Sequence, residues 1–75
     1  MPAAEIEALI KAALPDAVVT MTDLAGDNDH WAAHVVSAQF VGKPRVAQHK
    51  LVYAALGERM GGELHALQLT TAVPN

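Results

Sequence analysis

Histidine is the residue type with the widest chemical range in this 75-residue sequence, and it occurs four times. An imidazole can ligate a metal, transfer a proton near neutral pH or satisfy a buried hydrogen bond. The sequence contains no cysteine, which excludes a thiol nucleophile, a disulfide and a zinc–thiolate site made by this chain alone. A metal site built from histidines, or one completed by the thiolates of another molecule, remains open. The four positions are His30, His34, His49 and His65.

His65 lies in the stretch GGELHALQLTT, residues 61–71. Alternation by two places it on one face of a predicted strand with Leu67 and Leu69. Taken alone, an imidazole at such a position is more typical of a partly buried histidine bonded to a backbone carbonyl than of a metal ligand. The residues themselves leave both interpretations open.

The other histidines occur in different contexts. His30 stands in DNDHW beside Asp27 and Asp29, whose carboxylates could orient its ring, although loop solubility is the simpler interpretation of these aspartates. His34 belongs to an alternating strand, where we expect it to face solvent or a neighbouring side chain. His49 belongs to a helix, where a packing or capping role is expected.

A basic patch, defined as Lys43, Arg45 and Lys50, holds three of the five basic residues, and residues 30–57 include no acidic one. Such a patch could contact nucleic-acid phosphates or an acidic protein, or could be a solvated basic face. A KH domain grips a nucleic-acid backbone with a G-x-x-G loop, whereas GKPR at residues 42–45 has only the first glycine. We therefore rank sequence-specific DNA binding below binding to a protein partner.

The sequence gives little support for an enzyme. Ser37 is its only serine, and no nucleophile, base and acid occur at recognisable spacing. The GKP stretch lacks the upstream glycine and the following hydroxyl residue of a phosphate loop. A net charge of −3 gives no global attraction to nucleic acid or anionic membrane. With no predicted signal peptide or membrane span, we expect a non-enzymatic cytoplasmic protein.

The hydrophobic pattern predicts which elements position these residues. The composition, 52% apolar and 17% charged, is typical of a folded domain. We predict an amphipathic helix over 3–14, strands over 17–23 and 30–40, a helix from Pro44 to about Met60 that is kinked or divided around residues 47–49, and a third strand over 63–71. The buried side of the second helix is predicted to carry Val46, Val52, Ala55, Leu56 and Met60.

This order predicts an α+β fold, α-β-β-α(α)-β, with a three-stranded mixed sheet and helices on one face. The first two strands form an antiparallel hairpin, and the helical crossover makes the second and third parallel, pairing 31–37 with 64–70. Because parallel neighbours begin at the same edge of a sheet, His30 and His65 should emerge together. The crossover helix ends at this edge and favours a cation there. The two imidazoles are therefore candidate partners.

Residues 40–71, FVGKPRVAQHKLVYAALGERMGGELHALQLTT, resemble the BolA family, and the upstream half fits the first hairpin of that family. The resemblance implies a single BolA-like domain over residues 1–75, with a fold like that of class II KH domains. The residues that carry it are Phe40, Gly42, Lys43, Arg45, Val46, His49, Leu51, Val52, Leu56, Glu58, His65-Ala66-Leu67 and Thr71.

The resemblance also implies a function. BolA-like proteins bind a monothiol glutaredoxin and share a 2Fe–2S cluster with it, in cluster assembly and trafficking or in iron signalling. The family histidine of the H-A-L motif matches His65, and the ligand of the variable loop is best matched by His30. We expect no cluster on the chain alone, which would be a monomer or a weak homodimer and would not bind membranes.

The alternative function implied by the same resemblance is transcriptional. Some BolA-like proteins have been regarded as nucleic-acid-binding regulators of stress response and cell morphology. For this sequence, that function would use the basic patch of Lys43, Arg45 and Lys50 on a KH-like fold.

Overall fold

The computed structural model describes residues 2–26, 30–57 and 67–75. The predicted order of elements is confirmed over these ranges. The elements are α1 (Ala3–Ala13), β1 (Val18–Asp23), β2 (Trp31–Val36), a short 3-10 helix (Ala38–Phe40), α2 (Arg45–Leu56) and β3 (Leu67–Ala72). Neither α-helix is long and apolar enough to cross a membrane, within the part of the chain described.

The three strands form one mixed sheet in the order β1-β2-β3. Strands β1 and β2 are antiparallel, and β2 and β3 are parallel, as predicted. Trp31 lies opposite Leu67 and Val36 lies opposite Ala72. The parallel pairing is thus shifted by three residues from the predicted register, and the predicted α+β class is confirmed.

The helices pack on one face of this sheet. Alternate residues of β2, namely Trp31, Ala33 and Val35, are buried, whereas His34 between them is exposed. This period of two is the pattern of a sheet with one face covered and the other in water. The core that covers it comprises Ile6, Ile10 and Leu14 from α1 and its end, Ala17, Phe40, and Val52 and Leu56 from α2.

Strand β2 is shorter than predicted. The apolar run over 30–40 indicated one strand, but β2 ends at Val36 and the chain turns into the 3-10 helix. The Ser37 side chain caps this helix by accepting a hydrogen bond from the Gln39 N–H at 3.1 Å. Phe40 is fully buried by way of this turn. Its apolar character therefore reflects core packing outside the sheet.

Helix α2 is uninterrupted from Arg45 to Leu56, so the predicted kink around residues 47–49 is absent. It ends at Gly57, whose φ of 60° lies in the left-handed region that favours glycine. Val52 and Leu56 are buried as predicted, but Val46 is 66% exposed, which corrects its predicted place in the core. Met60, Gly61, Gly62 and the start of the predicted third strand lie outside the described residues.

Candidate functional site

The β1–β2 turn positions His30. This residue directly precedes β2 and is half-buried. Its backbone carbonyl accepts a hydrogen bond from the Leu24 N–H at 2.8 Å. The turn starts from the Asp23 carboxylate, which accepts bonds from the N–H groups of Ala25 at 3.2 Å and Gly26 at 2.8 Å. Backbone pairing therefore fixes the position of His30 relative to the sheet.

The other half of the predicted histidine pair, His65, lies outside the described residues, as do Asp27 and Asp29. The structure does describe two residues that follow these histidines in the sequence and pair with each other. Trp31 follows His30 directly, Leu67 follows His65 by two positions, and Trp31 and Leu67 are partners in the parallel register. The His30–His65 pairing remains a prediction.

The two remaining histidines occupy separate environments. His34 is exposed, and its Nδ1 lies 2.7 Å from the Thr70 hydroxyl on the neighbouring strand. The half-buried His49 ring meets Tyr53 edge-on, with centroids 6.1 Å apart, and its Nε2 atom is buried with no hydrogen-bond partner among the described residues. No group of three or more His, Asp or Glu side chains in the described ranges could hold a metal ion.

All three residues of the basic patch are exposed. None of them forms an ion pair with another residue of the described part. Arg45 begins α2 and Lys50 follows five positions later, about 140° further around the helix axis. The patch residues share exposure to solvent, but Arg45 and Lys50 lie on different sides of α2.

The loop before α2 is held in a defined shape. Gly42 has a φ of 77°, and the Lys43 N–H donates to the Phe40 carbonyl at 3.1 Å, as in a type II turn. The Gln48 amide donates to the Lys43 carbonyl at 2.8 Å and accepts a bond from the Thr71 hydroxyl at 2.6 Å. The sequence analysis missed Gln48, for which the signal was a long polar side chain within the predicted kink around residues 47–49.

Asp16 organises the chain at a second place, and the sequence analysis did not single it out. Its carboxylate accepts hydrogen bonds from the Ala38 N–H at 2.7 Å and the Ser37 hydroxyl at 2.9 Å. The bond from Ala38, followed by that from Ser37, lowers the pKa of this carboxyl below its ordinary value of 3.8. Asp16 thereby links the end of α1 to the start of the 3-10 helix.

Comparison with known proteins identifies the family to which this arrangement belongs. The profile of the BolA-like protein family matches residues 9–75. The chain belongs to the BolA-like family. A Rickettsia prowazekii protein of unassigned function is 42% identical over 69 residues, which cover 92% of this chain and 90% of that protein.

Solved BolA structures share the fold. A BolA homologue from Coxiella burnetii has a TM-score of 0.81 at 33% identity, covering 99% of this chain and 92% of that one. The BolA domain of SufE1 from Arabidopsis thaliana has a TM-score of 0.79 at 28% identity, covering 95% of this chain and 90% of that one. The α+β architecture is thus that of BolA structures.

Several of the described residues that carried the BolA resemblance differ in whether they belong to the core. Phe40, Val52 and Leu56 are buried, and Gly42 supplies a positive φ, so these positions serve the fold. Lys43 and Arg45, which are exposed, and the half-buried His49 contribute nothing to the buried core.

Proposed function

We propose that this chain is a non-enzymatic BolA-like protein of the cytoplasm that binds a monothiol glutaredoxin and shares a 2Fe–2S cluster with it. Its role would be cluster assembly and trafficking or iron signalling. His65, with His30 as the second contributor, would supply imidazole. Membership of the BolA-like family supports this proposal.

The observation that carries the proposal is the parallel pairing of Trp31 with Leu67. His30 adjoins the first of these residues, and His65 is two positions from the second. Two histidines 35 positions apart in the sequence thus lie within two positions of residues that pair in the sheet. This pairing supports a contribution of both histidines to one metal group.

The donor set of the chain also fits a shared cluster. Because the sequence has no cysteine, every thiolate ligand would come from the partner. Imidazole at one iron has a precedent in Rieske centres, where it raises the reduction potential of the cluster. The ligating imidazole must be neutral, so the association should weaken as the pH falls through the histidine range.

The test is to mix the protein with a cluster-loaded monothiol glutaredoxin and record visible circular dichroism. We expect wild type to change the spectrum, His65→Ala to lose most of that change while remaining folded, and His30→Ala to lose part of it. His34→Ala is the matched control, because it removes an exposed histidine from β2, four positions after His30. A folded His65→Ala variant with the wild-type spectrum and cluster lifetime would contradict the proposal.

Nucleic-acid binding is the second candidate, and the exposure of the three basic side chains, with no ion pair to any described residue, favours it. Binding through phosphates would fall steeply as salt rises and would vary little with sequence. Fluorescence anisotropy with duplexes of different sequence tests this, with Lys43→Ala/Arg45→Ala as the variant. Unchanged affinity in that double variant would exclude the patch, and a strong preference for one duplex would contradict phosphate-led binding.

A further inference from the structure

A crevice runs between α2 and the outer edge of the sheet. The strand order leaves β3 at the edge, with no further strand beside it among the described residues. The crevice opens into a pocket of about 240 Å³ lined by Arg45, His49, Leu69, Thr70 and Thr71. It lies toward the end of β2 opposite to His30, since α2 begins there and Thr71 pairs with Val35.

The helical wall of this pocket presents a cation. Arg45, His49 and Tyr53 follow one another at intervals of four and therefore share one side of α2. The guanidinium of Arg45 is exposed and has no ion-pair partner in the described part of the chain. The edge-on contact with Tyr53 orients the His49 ring on this side of α2.

The strand wall presents backbone donors. The Ser37 N–H donates to the Ala72 carbonyl at 3.2 Å, so the backbone polar groups of Ala72 point toward β2. Alternation then directs the N–H and C=O groups of Leu69 and Thr71 away from β2, to the outer edge. The partly buried Leu69 side chain adds an apolar surface.

Arg45 is the only Lys, Arg, Asp or Glu residue among the described residues that line the pocket. Residues 30–57 and 67–75, which supply every described lining residue, contain no aspartate or glutamate. One unpaired guanidinium balances one negative charge, and its planar fork matches a carboxylate through two parallel hydrogen bonds. The pocket volume and the Leu69 wall leave room for a short hydrocarbon segment behind that carboxylate.

We propose that this pocket is a carboxylate-binding site, with Arg45 as its anchor and the outward N–H groups of Leu69 and Thr71 as further donors. The site does not depend on the cluster function, because it involves neither His30 nor His65. The carboxylate has two sources of the same chemistry. One is a free short-chain organic acid, and the other is a glutamate on an extended protein segment that pairs with β3.

The test is an NMR titration of the ¹⁵N-labelled protein with two probes. One probe is butyrate, and the other is the blocked peptide acetyl-Thr-Val-Glu-Val-Thr-amide, with its Gln counterpart as the matched control. We expect saturable shifts at the amides of Arg45, Leu69 and Thr71. Arg45→Gln should weaken binding about ten-fold or more, Arg45→Lys less, and the control Lys43→Gln less than about two-fold.

The outcomes separate the sources. Saturation by butyrate alone identifies a free acid. Saturation by the Glu peptide but not the Gln peptide, with slower hydrogen exchange at Leu69 and Thr71, identifies a protein segment. The proposal is overturned if neither probe gives saturable shifts at this edge, if Arg45→Gln binds as well as wild type, or if inorganic phosphate or an oligothymidylate binds more tightly at the same amides.

Discussion

The two ends of β2 are built differently. At its start, apart from the strand pairing, the hydrogen bonds described for the turn join residues close together in the sequence, such as Leu24 with His30 and Asp23 with Gly26. At its finish, they join segments that are far apart. Asp16 reaches Ser37 and Ala38, and Gln48 reaches Thr71.

The difference separates stability from chemistry. The finishing end of β2 has the hydrogen bonds that connect α1, the 3-10 helix, α2 and β3. Interactions at this end should therefore contribute much of the free energy of unfolding. The starting end presents His30, whose backbone is set by sheet pairing and whose side chain is not part of the buried core. Substitutions at the finishing end should therefore change stability, whereas replacement of His30 at the starting end should change ligation.

The largest effect is expected from Phe40→Ala at the finishing end. Phe40 is fully buried, so its truncation leaves a cavity and should lower the free energy of unfolding by about 3–5 kcal/mol. The adjacent Val41 is 65% exposed, and Val41→Ala should change the free energy of unfolding by less than about 0.5 kcal/mol. Urea denaturation measures both. Equal losses in the two variants would contradict the role of the buried Phe40 side chain in stabilising the finishing end.

Ser37→Ala should have the next largest effect. The buried Ser37 hydroxyl donates to Asp16 and accepts from the Gln39 N–H, so its loss leaves both partners without this bond. We expect a loss of about 1–3 kcal/mol in the same denaturation measurement. Thr20→Ala, on the exposed face of β1, is the control. A loss no greater than that of the control would show that this cross-link adds little to stability.

Acid should weaken the finishing end through Asp16. Its folded-state pKa lies below 3.8, so the stabilisation is fully present above that value and is lost as the pH falls through the lower folded-state pKa. Asp16→Asn should be less stable than wild type near neutral pH and should lose less stability on acidification. Thermal unfolding between about pH 6 and pH 2 measures this. Parallel pH profiles for the two proteins would contradict the assignment.

The smallest effect is expected on the exposed face of the sheet. His34 contacts the Thr70 hydroxyl across β2 and β3, and a cross-strand pair of this kind contributes about 0.2–1 kcal/mol. His34→Ala should therefore cost less than Ser37→Ala in the same urea series. A loss larger than that of Ser37→Ala would show that the exposed face of the sheet contributes more to the free energy of unfolding than this hydrogen bond at the finishing end.

The topology was predictable from the sequence because its signals are local and periodic. The burial of Ile6 and Ile10 on α1, the hairpin and the parallel β2–β3 pairing all follow from patterns within single segments. The start of α2 at the residue after Pro44 is a signal of the same kind.

The end of β2 and the place of Val46 were not predictable in this way. The chain turns at Ser37 because Asp16, 21 positions earlier, accepts hydrogen bonds from the Ser37 hydroxyl and the Ala38 N–H. No local sequence pattern contains this long-range contact. Val46 fits a helical stripe, but the first turn of α2 leaves it in solvent. Of the candidate ligands, His30 directly precedes β2, within one residue of the predicted strand start, and the ligand roles of both His30 and His65 stay predictions.

The measurement that tests the central claim most directly is hyperfine spectroscopy of the shared cluster. The protein would be labelled with ¹⁵N-histidine, mixed with unlabelled cluster-loaded monothiol glutaredoxin, and reduced to its paramagnetic state. We predict a strong ¹⁵N coupling from directly ligated imidazole that His65→Ala largely removes, leaving only the smaller contribution of His30, and that His34→Ala leaves intact. A reduced complex without such a coupling, or one in which His65→Ala leaves it unchanged, would contradict the account.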